Sequence, residues 1–203
     1  MPLSFCNHIW NLKINKMTLP IHIIGSSVLR KVAEDIPEDY PGLADLIENM
    51  YETMYSSDGV GLAAPQIGKS IRLFIIDAEP MAEDFPELKN FKRTFINAHI
   101  VEKTDETMRA NEGCLSIPDI HEEVERFLSV TINYVNENFE PITETFTGMA
   151  AVILQHEYDH TDGILFTDKV NPLRKKFLKR KLAQIAKGNF NKRYKYILGE
   201  KFR

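Results

Sequence analysis

Residues 148–161 read GMAAVILQHEYDHT, and the last five, His156-Glu157-Tyr158-Asp159-His160, match H-E-x-x-H. Histidines at i and i+4 project from one face of a helix about one turn apart, so both imidazoles can reach a single metal ion from the same side. Glu157 sits beside that line, where it can take a proton from water at the metal. A surface helix carrying this pattern by chance is the lesser reading in a chain with six histidines, and the apolar run AVILQ ahead of it belongs to a buried helix. Gly163 follows as a C-terminal stop.

Outward from this helix the pattern is of strands with few helices. Residues 127–135 and 142–147 alternate about a turn at 136–141 and predict a hairpin leading into the helix. Upstream, 71–77 (IRLFIID) predicts a strand apolar enough to be buried on both faces, and 93–101 a second strand. Leu43, Leu46, Ile47, Met50 and Met54 recur at helical spacing and predict a helix over 41–55, stopped by Ser56-Ser57-Asp58-Gly59. Residues 59–68 (GVGLAAPQIG) read as a glycine-rich loop, and the acidic 78–90, with two prolines, as a surface loop. Downstream, Leu173, Phe177, Leu182 and Ile185 mark a final amphipathic helix whose other face is Lys and Arg. Without regular βα alternation, the expected class is α+β, with mostly antiparallel sheets around a central metal-binding helix.

The H-E-x-x-H motif needs a third ligand. No histidine follows His160, and of the acidic residues beyond it Asp162 is too close and Glu200 lies in a basic stretch. An upstream ligand is expected, and Cys114 in Glu112-Gly113-Cys114-Leu115-Ser116-Ile117-Pro118 is the natural candidate. A thiolate with two imidazoles leaves the fourth tetrahedral position open, as a catalytic site requires. Alone, Cys114 would read as a small buried hydrophobe. These ligand types by themselves point to zinc. A zinc endopeptidase of the H-E-x-x-H type is the competing reading, with the missing downstream ligand as its weak point. From a different class, a catalytically silent RNA- or ribosome-binding protein is the further alternative, one with no chemical reason to keep Cys114 and Glu157 beside the two histidines.

Three stretches in this order, 59–66 (GVGLAAPQ), 112–116 (EGCLS) and 156–160 (HEYDH), resemble the signature motifs of the peptide deformylases. These enzymes remove the formyl group from the N-terminal methionine of new bacterial proteins. The resemblance spans about Met17 to Ile185. It implies a metal held by Cys114, His156 and His160, commonly ferrous iron, with zinc, nickel or cobalt as substitutes. It also implies Glu157 as general base and then acid, with Gln66 and the backbone N–H of Leu115 stabilising the oxyanion. In the family the glycine-rich loop pairs with the peptide near Val60 and Gly61. Glycine without a Cβ permits that approach, and no G-K-[ST] follows to make it a phosphate loop. Val152 and Met149, one and two turns before His156 on the same face, together with Val60 are expected to line the methionine pocket, with Glu112 at its rim; an ordinary core place is the competing reading for Met149 and Val152. Many relatives carry an arginine a few residues beyond the second motif; here His121 and Arg126 are nearby, so rim contacts there are an open expectation.

The 203 residues are 43% hydrophobic, 10% aromatic and 27% charged, values of a globular chain and not of a disordered one. No apolar run approaches the ~20 residues of a membrane span, and two cysteines cannot make a disulfide framework. A reducing, cytoplasmic setting follows as the expectation. The net charge of −4 conceals an asymmetry: 171–203 holds 12 basic residues and one acidic, leaving −15 on the other 170. Through this basic helix and tail the resemblance implies a ribosome as partner beside the formylated nascent chain, with no role for DNA or membrane. Residues 1–16 lack an apolar core and cleavage site and read as an upstream extension. The catalytic domain is expected over 17–187, with a basic tail at 188–203.

Overall fold

The computed structural model describes residues 17–202; the expected extension, 1–16, lies outside them. In chain order the elements are β1 (Ile21–His22), α1 (Leu43–Ser56), β2 (Gly61–Ala63), β3 (Leu73–Asp77), β4 (Lys92–Lys103), β5 (Thr107–Cys114), β6 (Ile117–Phe127), β7 (Ser129–Val135), β8 (Pro141–Thr147), α2 (Gly148–Thr161), α3 (Pro172–Ala186) and β9 (Tyr196–Ile197). Five strands form one sheet in the order β2-β3-β4-β7-β8, antiparallel throughout. The pair β5-β6 makes a separate antiparallel hairpin, and β1 pairs with β9 in parallel.

The alternation of β3 decides how the layers stack. Phe74 and Ile76 face one way, into a core with Ala151 and Leu154 of α2 and Phe95, Ile132 and Phe146 of the sheet. Leu73 and Ile75 face the other way and pack with Leu46, Ile47, Met50 and Met54 of α1. The strand is thus covered on both faces by helices, as its unbroken apolar run requires. A third core joins Ile117, Ile120 and Val124 of β6 to Phe166 and to Leu178 and Ile185 of α3. Burying a side chain of this size contributes about 1.5–3 kcal/mol, so α2, apolar on most of its circumference, is held in place on several sides.

Local chemistry ends α2 where the sequence predicts. Gly163 adopts the left-handed conformation (φ 71°), and its N–H donates to the His160 carbonyl. Arg72 donates to Thr161 Oγ1 (3.1 Å) and to Asp162 (2.6 Å), placing a cation at the helix C-terminus, where the dipole favours it.

Three expectations need correction. The acidic stretch 78–90 contains two short 3-10 turns, buries Leu88 and packs Met81 and Phe85 on the first core, so it is more than a surface loop. The glycine-rich 59–68 contains a buried strand, β2, and a 3-10 turn over Ala64–Ile67. In α3, Leu173 and Phe177 are 62% and 69% exposed. The inward stripe runs instead through Leu178, Leu182 and Ile185, and the exposed Arg174 reaches from the helix surface to the buried Glu122 (2.5 and 3.0 Å). Among the described residues no helix is long and apolar enough to cross a membrane.

Candidate active site

Cys114 ends β5 at the tip of the hairpin, where the register shifts between Gly113, paired with His121, and Cys114, paired with Ile117. That tip brings the thiol against α2. Its Sγ lies 3.3 Å from His160 Nε2, and donor atoms of Cys114, His156 and His160 all fall within 4.8 Å of one another. The two imidazoles stand edge to face, 5.1 Å apart. One soft and two borderline donors, closely grouped on two rigid elements, fit a transition-metal ion with a position left for a fourth ligand.

The surrounding groups are oriented from behind. His156 Nδ1 is 2.7 Å from Glu112 Oε2, which leaves Nε2 as the nitrogen that could ligate an ion. Glu112 receives two bonds from Arg126, at 2.6 and 2.9 Å, and Arg126 also reaches Asp159 at 2.5 Å. Burial alone would push the Glu112 carboxyl up, but the Arg126 guanidinium and His156 overcome it and hold it down, at about 2. It is therefore a fixed anion. The same carboxylate and the Cys114 thiol draw His156 upward against its burial, whereas burial and the neighbouring His156 push His160 down. Glu157 is raised to about 7 by burial, and its Oε2 is buried with no hydrogen-bond partner among the described residues.

Gln66 is placed by its own turn. The Ala63 N–H donates to its Oε1 (2.8 Å), so its NH2 faces Cys114 Sγ (3.5 Å) and Ser116 Oγ (3.3 Å). Gly61 lies so close to Glu157 that an added Cβ would stand 2.4 Å from Oε1.

A cavity of about 480 Å³ opens over this group. Val60, Gly61, Gln66, Glu112, Leu115, Met149 and Val152 all line it, with Cys114, His156 and Glu157. His160 joins them through the ligand cluster. Met149 touches the first core as well as the cavity. Glu112 does not stand at the rim, since it is 6% exposed and turned to Arg126 and His156. Arg126 is likewise buried, with a side chain 1% exposed, and makes no rim contact.

Comparison with known proteins bears on this arrangement directly. The family model for polypeptide deformylase matches residues 18–176. The chain belongs to the polypeptide deformylase family. A peptide deformylase of Flavobacterium johnsoniae is 52% identical over 186 residues, covering 88% of this chain and 95% of the relative. That of Christiangramia forsetii is 50% identical with the same coverage. Among solved structures, the Legionella pneumophila peptide deformylase aligns with a TM-score of 0.72 at 36% identity, over 83% of this chain and 95% of the other. The Thermotoga maritima enzyme aligns at 0.69 and 40%, over 77% and 99%. The chain is thus a deformylase that removes the N-formyl group from nascent peptides, and the endopeptidase reading is not favoured. Deformylases are metalloenzymes, and Cys114, His156 and His160 could bind a metal here.

Sequence reasoning did not find Asp159, Ser116 or the segment that supplies Asn191, Arg193 and Tyr194 to the cavity. Asp159 stood inside the H-E-x-x-H motif at an unassigned position. The last three lay in a stretch read only for its charge.

Proposed function

We propose that Cys114, His156 and His160 hold one divalent ion, ferrous iron, which zinc, nickel or cobalt can replace, in a cytoplasmic enzyme. The observation that carries this reading is the close cluster of one cysteine sulfur and two imidazoles beside a buried carboxylate oxygen without a partner among the described residues. Bound there, the ion supplies Lewis acidity toward water and toward the formyl carbonyl.

The remaining chemistry falls to the chain's own groups. Glu157, held near neutrality by burial, takes the proton of the attacking water and passes it to the leaving amine. The Gln66 amide and the Leu115 N–H donate to the oxyanion that develops at the formyl carbon. An amide suits that place, because a carboxylate at position 66 would repel the charge. Val60 and Gly61, at the start of β2, pair with the extended peptide as an added strand. Met149 and Val152, with Val60, flank the methionine side chain. Residues 17–187 form the catalytic unit, and 188–203 is a basic tail, of which Phe190, Tyr194, Tyr196 and Leu198 pack on the third core.

Paired variants test the assignment. Glu157→Ala should retain about one metal per chain and lose most formate release from formyl-Met-Ala-Ser, whereas Cys114→Ser should lose the metal itself. Activity of Glu157→Ala within about tenfold of the parent removes it from the mechanism. Metal analysis of protein prepared without oxygen decides the ion.

The exposed basic face of α3, with Lys176, Lys179 and Arg180 beside Leu173 and Phe177, supports docking on ribosomal RNA phosphates. The triple change of those cations to Glu should abolish salt-sensitive cosedimentation with ribosomes. Unchanged sedimentation would leave α3 a solvated helix.

A further inference from the structure

A second depression of about 470 Å³ adjoins the active-site cavity. Ser57, Arg193 and Tyr194 line both, so the two meet along these residues. Their charge differs. The first cavity contains Asp58 and Asp119 among its lining, and Asp119 already accepts the Asn191 N–H at 2.9 Å. The second is lined by Lys192, Arg193 and Lys195 and by no acidic residue.

The segment that carries these cations is held in place from both ends. Tyr194 donates its hydroxyl to the Leu115 carbonyl at 2.5 Å, and the next residues enter β9, paired with β1. Lys192, Arg193 and Lys195 are exposed, and Arg193 makes no ion pair among the described residues. At the junction, Ser57 Oγ is buried without a hydrogen-bond partner among those residues, a state that costs free energy until an acceptor or donor arrives.

Resting on the deformylase reading, we propose that the second depression receives the downstream part of the formylated peptide and selects for carboxylates there, through Lys192, Arg193 and Lys195 with Ser57 as a hydrogen-bonding partner. A peptide whose methionine lies between Val60 and Val152 leaves the first cavity past Ser57 and Arg193. Its third and later residues then stand in a field of one sign. Exposed charge pairs are individually weak, so the effect is a preference of about three- to tenfold, screened by salt.

The test uses the metal-loaded enzyme and formyl-Met-Ala-Xaa-Xaa-Ala peptides with C-terminal amides, where Xaa is Glu, Gln or Lys. Formate release from the Gln peptide by the parent enzyme tests the deformylase reading separately. The Glu peptide should exceed the Lys peptide in kcat/KM by the stated factor, mainly through KM, and the gap should close in 0.5 M salt. In Lys192→Gln/Arg193→Gln/Lys195→Gln the ratio should fall to near one, and Arg193→Lys should keep it if the triple variant fails to fold. The Gln peptide as free acid and as amide distinguishes a terminal carboxylate from a side-chain one as the group selected. Equal rates for the Glu, Gln and Lys peptides with no gain for the free acid, or a preference that survives the triple change, overturn the proposal. Equal rates with competitive inhibition by a short RNA would overturn it in favour of a nucleic-acid site.

Discussion

Gly61 shows how tightly a single position is bound to the chemistry. The backbone of β2 passes so near Glu157 that a methyl group would stand 2.4 Å from its carboxylate. Gly61→Ala must therefore push either the strand or the Glu157 carboxylate, the proposed base, aside. An error of about 1 Å in a catalytic group costs about 100-fold in rate. The expected outcome is a kcat loss of that order with metal content unchanged, read by single-turnover formate release beside metal analysis. Gln66 illustrates the same point from the opposite side. Its carbonyl is taken by the Ala63 N–H, which leaves the NH2 no choice of direction.

Among the elements, α2 and the β5-β6 hairpin were legible to different degrees, for a physical reason. The α2 span matches its expectation residue for residue, because an apolar run, a motif with helical spacing and a terminal glycine all agree. The long hairpin was missed. Along β6 the buried positions alternate strictly, as Ile120, Glu122, Val124 and Arg126, but two of the four are charged. A search for apolar alternation passes over such a strand. Those charges are paired, Glu122 with the exposed Arg174 and Arg126 inside the protein with Glu112 and Asp159, so burial and hydrophobicity part company where the site needs a rigid support. Removing one partner of a buried pair strands the other. Arg126→Met is expected to cost about 3–5 kcal/mol of stability in urea unfolding. Glu112→Gln should be milder for folding and should weaken metal affinity about 10- to 100-fold, since it alters the group that orients His156. A metal titration separates the two effects.

Over the whole molecule, ion pairs tie segments that are remote in sequence. Arg30 reaches Asp168, Arg72 reaches Asp162 and Arg174 reaches Glu122. Partial burial would raise the Asp168 carboxyl, but Arg30, the Leu165 N–H and Lys175 hold it below the usual aspartate range. A lowered carboxyl stabilises the fold above the ordinary aspartate pKa of about 4 and loses that contribution as pH falls through its native value. Asp168→Asn should therefore cost up to about 1 kcal/mol near pH 7, a limit set by the half-exposed pair. The difference from the parent should narrow as unfolding is followed from about pH 5 to below 3.

The pairing of Ile21 with Tyr196 and of His22 with Ile197 sets an order of events during synthesis. A chain emerging from its N-terminal end exposes β1 long before its partner exists, and closing a loop of such length carries a large entropic cost, deferred until the rest of the molecule is in place. The five-stranded sheet and α2 can assemble first. The segment bearing Arg193 and Tyr194 arrives immediately before β9 and settles with it. One wall of the cavity is thus put in place only after the sheet and α2, and the parallel strand pair works as the clasp that shuts it.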